Sequence, residues 1–168
     1  MSSSELLLDA FSRVQESVHG AVDGLTEEQL AYRVDPGANS IGWLIWHLTR
    51  VQDDHIADVA GTEQVWTAAG WDKKFGLKLD RLATGYGHTS DEVAKVRVSA
   101  RNLVAYYDAV HEQTVEFVSG LTDADLPRVV DTAWDPPVTL SVRLVSVVHD
   151  CMEHVGQAAF IRGVLKRG

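Results

Sequence analysis

The sequence predicts an all-α protein, a four-helix bundle with long crossover connections. Apolar residues recur at helical spacing through four long segments, and long alternating strand patterns are missing. Two substantial connections, rich in Gly, Pro and aromatic residues, separate the later helices, and together these features fit a bundle. We expect residues 1–168 to form one domain, a length that supports a respectable core.

The first helix is predicted in "SSELLLDAFSRVQESVHGAV", with serine caps at its start and Leu7, Phe11, Val14 and Val18 on one face. Gly20 and Gly24 loosen its end, and "LTEEQLAYRV" reads as a short helical turn. "DPGANS" is a loop that presents Ser40 as the N-cap of a second helix running to about Gly61. The stretch from Gly61 to Ser90 has poor periodicity and reads as a long structured connection covering one end of the bundle. Connections of that length in a compact domain are more often functional than idle. Ser90 gives a cap signal before "DEVAKV", and a third long helix ends at Gly120. Pro136 and Pro137 stop any helix in "TDADLPRVVDTAWDPP". Thr139 then caps a last helix reaching almost to Lys166.

Charge narrows the function classes. Fifteen Lys and Arg against 24 Asp and Glu give a net charge of −9, a field that repels phosphate backbones and anionic lipid. Nucleic acid and membrane are therefore not expected partners. The single cysteine, Cys151, excludes an intrachain disulfide and fits a reducing cytoplasm. No apolar run approaches the roughly 20 residues of a membrane span, and the N-terminus lacks the basic region of a signal peptide.

The chemistry concentrates in "SVVHDCMEHVGQAAF" on the last helix. At about 100° per residue, Leu140, Leu144, Val148, Cys151, Val155, Ala158, Arg162 and Leu165 form one stripe, apolar except for Arg162. Asp150 and His154, four residues apart, flank that stripe and face the bundle interior or its edge. His149 and Glu153 share the same spacing but point away, as a solvated pair. An unpaired buried carboxylate is costly, so Asp150 needs a cation, a metal or donors nearby. The second helix offers His47, on a face shared with Trp43, Leu44 and Val51. Alone, such a histidine reads as a satisfied core residue. With Asp150 and His154 it completes a three-ligand set that leaves metal positions open for water or substrate. Asp54 lies two turns away, too far to share that metal, and His55 is an alternative only if the helices are shifted. Cys151 reads as a small buried residue, and His19, His88 and His111 as surface or connector residues. Trp66, Trp71 and Trp134, in the connections, either wall a pocket or close the ends of the core.

The stretches "WHLTRVQDDH" and "HDCMEHVGQAAFIRG" resemble the DinB-like superfamily of four-helix-bundle metalloproteins. The resemblance maps that superfamily's metal ligands onto His47, Asp150 and His154. Its commonest pattern has His at the position of Asp150. A carboxylate there is similar to the branch containing mycothiol-dependent maleylpyruvate isomerase, whose ligand is the longer Glu. The resemblance implies a divalent metal, Zn²⁺ with Ni²⁺ or Fe²⁺ as alternatives, and a low-molecular-weight thiol such as mycothiol. It further implies an S-transferase or isomerase acting on an electrophilic substrate, and leaves a homodimer open. A metal-activated hydrolase and a non-catalytic metal-binding or stress-related bundle are the alternatives.

Overall fold

The computed structural model of the protein describes residues 2–167. In chain order the elements are α1 (Ser3–Val22), the single turn α2 (Glu27–Leu30), α3 (Ile41–Ala60), and the short α4 (Val65–Ala68), α5 (Trp71–Phe75) and α6 (Ser90–Ala94). Then come α7 (Ala100–Ser119), strands β1 (Val129–Asp131) and β2 (Val138–Thr139), and α8 (Leu140–Leu165). The four long helices make the all-α bundle that the periodicity predicts. Among the described residues no helix is long and apolar enough to cross a membrane.

Each long helix begins on a hydroxyl side chain that accepts a backbone N–H of the first turn: Ser2, Ser40, Ser99 and Thr139. Gly61, at φ +69°, ends α3 in a left-handed conformation that suits glycine. The cap of α6 is Thr89, not Ser90. Thr89 and Glu92 close a reciprocal capping box there, which places Ser90 inside the helix.

Helix α1 packs on α7 and α8, and α3 packs on the same two, so α1 and α3 lie across one diagonal of the bundle. Long crossovers are present as expected, but only one of the two expected connections is among them. The long segment 61–99 joins the neighbours α3 and α7, while residues 23–40 and 120–139 make the diagonal crossings. Segment 61–99 is long because it wraps the outward face of α3. Every residue from Ile41 to Arg50 is buried as a result, including faces that a helical wheel would give to solvent. Trp66, Trp71 and Phe75 of this segment pack around Tyr106 and close the core, whereas Trp134 is exposed and does neither expected job. The second connection holds a small antiparallel ribbon that the sequence pattern does not announce, since its strands are too short to alternate.

The buried stripe of α8 is Leu140, Leu144, Val147, Cys151, Val155, Ala158 and Ile161. Val147 and Ile161 are buried where the wheel chose Val148 and Arg162. Packing against both α1 and α3 asks for a broader apolar face than one row of residues. Arg162 lies at its edge and donates to the Ala21 carbonyl at 3.3 Å, near the carbonyl end of α1.

Candidate metal centre

Helix α3 brings His47 and helix α8 brings Asp150 and His154 to one place. Their ligand atoms all lie within 4.8 Å of one another. Asp54 and His55 stand outside that cluster. The i,i+4 spacing on α8 sets Asp150 Oδ1 3.5 Å from His154 Nε2, close to the roughly 3.5 Å that separates neighbouring ligands around a tetrahedral ion with bonds of about 2.1 Å. His149 and Glu153 form the solvated pair, 3.4 Å apart, with side chains 71% and 59% exposed.

Hydrogen bonds orient both rings. His47 Nδ1 faces the carbonyl of Thr84, an acceptor only, so Nδ1–H donates and Nε2 keeps its lone pair. His154 Nδ1 stands 3.2 Å from Gln157 Oε1, which turns the other nitrogen toward Asp150. A metal-binding histidine characteristically donates its second nitrogen in this way. The His47 ring also stacks on Trp43, with centroids 4.5 Å apart and planes at 17°. Asp150 Oδ2 is buried and finds no hydrogen-bond partner among the described residues. A bound cation satisfies such an orphaned oxygen, so the residues present fit a divalent metal.

Electrostatics separates the two imidazoles. Burial holds His47 below its ordinary pKa, whereas the hydrogen bond that His154 donates to the Asp150 carboxylate raises His154. Burial pushes Asp150 upward, but the hydrogen bond and charge of His154, then His47 and His55, bring it below the usual carboxylate value. Cys151 is fully buried, its thiol 3.6 Å from Gln52 Oε1, and burial drives its pKa well above the thiol range. It is the small buried residue expected, and an unreactive one.

Three other histidines have partners that the sequence does not show. His19 meets Asp108 at 2.7 Å on the surface. His88 stacks on Trp46, and its Nδ1 accepts from Trp43 Nε1 at 3.2 Å. His111 is half-buried against Tyr107. None of them reaches the metal ligands.

The connection supplies what sequence reasoning missed. Arg50, fully buried, donates to the carbonyls of Leu82 and Ala83 at 3.3 and 3.1 Å and so fixes the chain just before Thr84. Gly85 follows at φ +98°. A Cβ there would lie 2.7 Å from His47 Nδ1, 3.0 Å from Trp43 and 3.1 Å from Trp46. The only signal in the sequence is the glycine pair of "TGYGH", which marks a turn without saying what it touches. Gly85→Ala is expected to weaken metal affinity roughly 10–100-fold, the usual cost of disturbing a ligand's supporting partner. Competition against a chromophoric chelator measures it, and unchanged affinity would show that the loop yields.

His47 and Asp150 open onto a cavity of about 330 Å³, which His55, Asp54 and Thr84 also line together with Tyr86, 93% exposed. A larger groove of about 670 Å³ runs between α1 and α7 past His19 and Asp108. None of the three ligands lines it, and the smaller cavity is the one beside the ligand cluster.

Comparison with known proteins bears on the family and the fold. The sequence profile of the mycothiol-S-transferase family matches residues 6–167. A crystal structure of a conserved protein from Enterococcus faecalis superposes with a TM-score of 0.90 at 31% identity, covering 96% of each chain. A DinB-like protein from Bacillus cereus superposes with a TM-score of 0.65 at 21% identity, over 96% of this chain and 92% of that one, which supports the fold alone. A search of curated proteins finds no significant match.

Proposed function

The chain belongs to the mycothiol-S-transferase family, and we propose that it is a metal-dependent enzyme transferring the sulfur of a mycothiol-like thiol to an electrophile. Residues 1–168 act as one bundle domain in this proposal, in the cytoplasm, with a small-molecule thiol as partner. The observation that carries it is the convergence of His47, Asp150 and His154 on one another beside a cavity that His47 and Asp150 line, with Asp150 Oδ2 lacking a donor among the described residues.

Those three side chains would hold a divalent ion such as Zn²⁺, Ni²⁺ or Fe²⁺. When bound, such an ion supplies a Lewis acid that lowers the pKa of a thiol. The protein's share is positional. Thr84 and Gln157 hold the imidazoles with Nε2 inward, and Trp43 stacks on the buried His47 ring. Three ligands leave room for an incoming group, as catalytic sites require. Cys151, the one cysteine in the chain, is sealed in the core, so a reacting sulfur comes from a small molecule. In the transfer the thiol proton passes to solvent and the sulfur's electron pair forms the bond to carbon. The displaced pair leaves with the departing group or shifts onto the electrophile.

The test incubates protein loaded with Zn²⁺, Ni²⁺ or Fe²⁺ with mycothiol and N-ethylmaleimide, using bacillithiol and glutathione as comparison thiols. We expect S-conjugate above the uncatalysed rate, best with mycothiol and abolished in Asp150→Ala. Thiol added to cobalt-substituted protein should also produce sulfur-to-metal charge-transfer absorption. Protein that keeps its metal but shows neither conjugate nor new absorption would favour metal-activated water or a non-catalytic role.

A further inference from the structure

A second polar array reaches the same cavity through His55, and metal ligation does not use it. Arg143 lies on α8 two turns before Asp150. Its Nη1 stands 2.6 Å from His55 Nδ1, and its Nη2 donates to Asp131 Oδ2 at 2.9 Å. Asp131 ends β1, and its other oxygen accepts the Ala133 N–H at 2.9 Å, so the small ribbon braces the guanidinium.

This geometry fixes a proton. A guanidinium carries donors and no acceptor, so His55 Nδ1 must accept from Arg143. The proton of the neutral ring therefore resides on Nε2. A second proton on Nδ1 would set N–H against N–H at 2.6 Å. In keeping with this, burial first and the Arg143 charge second hold His55 below the ordinary histidine pKa, although Asp54, Asp150 and Asp58 pull the other way. Nε2 has no hydrogen-bond partner among the described residues, yet unlike Asp150 Oδ2 it is not sealed from solvent. His55 lines the cavity with His47 and Asp150.

We infer that His55 presents a fixed Nε2–H donor to an oxygen of the electrophilic co-substrate, with Arg143 as the positioning residue that sets the tautomer. The inference rests on the transferase function proposed above and deepens it, because it names the class of electrophile. That class carries an oxygen that gains negative charge as the C–S bond forms, as in a conjugated carbonyl or an epoxide. The sulfur's pair forms the bond to carbon, a π or C–O pair moves onto that oxygen, and the proton lost by the thiol returns to the product through water. His55 stabilises the charge and keeps its own proton, since the neutral ring with Arg143 on Nδ1 has no replacement for it.

Long-range ¹H–¹⁵N spectra of Zn²⁺-loaded protein read the tautomer directly. The expected result is a proton on Nε2 in wild-type and Arg143→Lys protein, and a tautomer mixture in Arg143→Met. Titration with the thioether formed from mycothiol and N-ethylmaleimide should shift the His55 Nε2 resonance, through the imide oxygens. In turnover, His55→Phe should lose about 100-fold in kcat/KM, the scale of one oxyanion donor, with metal content unchanged. His55→Gln, whose amide offers a donor near the Nε2 position, should keep most of the activity. A proton on Nδ1, an Nε2 resonance indifferent to the thioether, or full activity in His55→Phe would overturn the assignment. Wild-type protein without turnover would instead sink the transferase function, and the thioether titration would still decide for or against the donor.

Discussion

Asp150→Ala and His154→Ala should each empty the metal centre, losing affinity well beyond the roughly 10–100-fold that a supporting residue is worth. Either change leaves two protein ligands, and Asp150→Ala also removes the carboxylate that neutralises part of the ion's charge. His149→Ala and Glu153→Ala, one residue away in each case, should bind metal as wild type does. That pair is exposed, and surface pairs contribute well under about 1 kcal/mol. Elemental analysis after chelation and reloading separates the two classes of variant, and full occupancy in Asp150→Ala would refute the ligand set. Acidification should also release the metal, because protons compete for the ligands. His154, its pKa raised by Asp150, takes up the first proton as pH falls. His47, lowered by burial, takes it later.

Asp53→Ala should be the most destabilising single change considered, by about 3–5 kcal/mol, because it strands a buried guanidinium. Asp53 and Arg50 are both fully buried, 3.6 Å apart. The carboxylate accepts from the backbone of Val65 and Trp66 at 2.8 Å each and from the Tyr106 hydroxyl at 2.7 Å. Arg50 in turn donates to Gln64 at 2.8 Å and lies over the Trp66 ring. Burial nonetheless lifts the Asp53 pKa above the ordinary value against all these donors. The group therefore fixes the wrapping segment in place more than it adds net stability. Urea denaturation of metal-free protein reads the loss as a lower midpoint at unchanged slope. Asp53→Asn, which retains one acceptor, should fall between the alanine variant and wild type. A midpoint shift in Asp53→Ala worth less than about 1 kcal/mol would show that water takes over the stranded donors.

Much of this protein follows from the one-dimensional pattern. Four amphipathic segments are legible, and hydroxyl caps at Ser40 and Thr139 with a glycine stop at Gly61 bound two of the long helices closely, because caps and periodicity are local. The i,i+4 spacing of Asp150 and His154 is equally local, and the wheel separates it from His149 and Glu153. Pairing that face with His47 uses only the rule that an inward carboxylate needs a partner. What the tertiary structure decided is non-local. Which connection crosses the bundle depends on the packing order of helices: of the two long connections read as crossovers, the one before α8 crosses, whereas segment 61–99 wraps α3. The Thr84 carbonyl that orients His47, and the Arg50 contacts that hold it there, join residues more than thirty positions apart through backbone atoms, which have no sequence signature. His55 is the clearest case. The sequence offers it as a displaced metal ligand. Only the approach of Arg143, 88 residues further along the chain, turns its Nδ1 into an acceptor and puts the neutral ring's proton on Nε2, in a residue that lines the cavity.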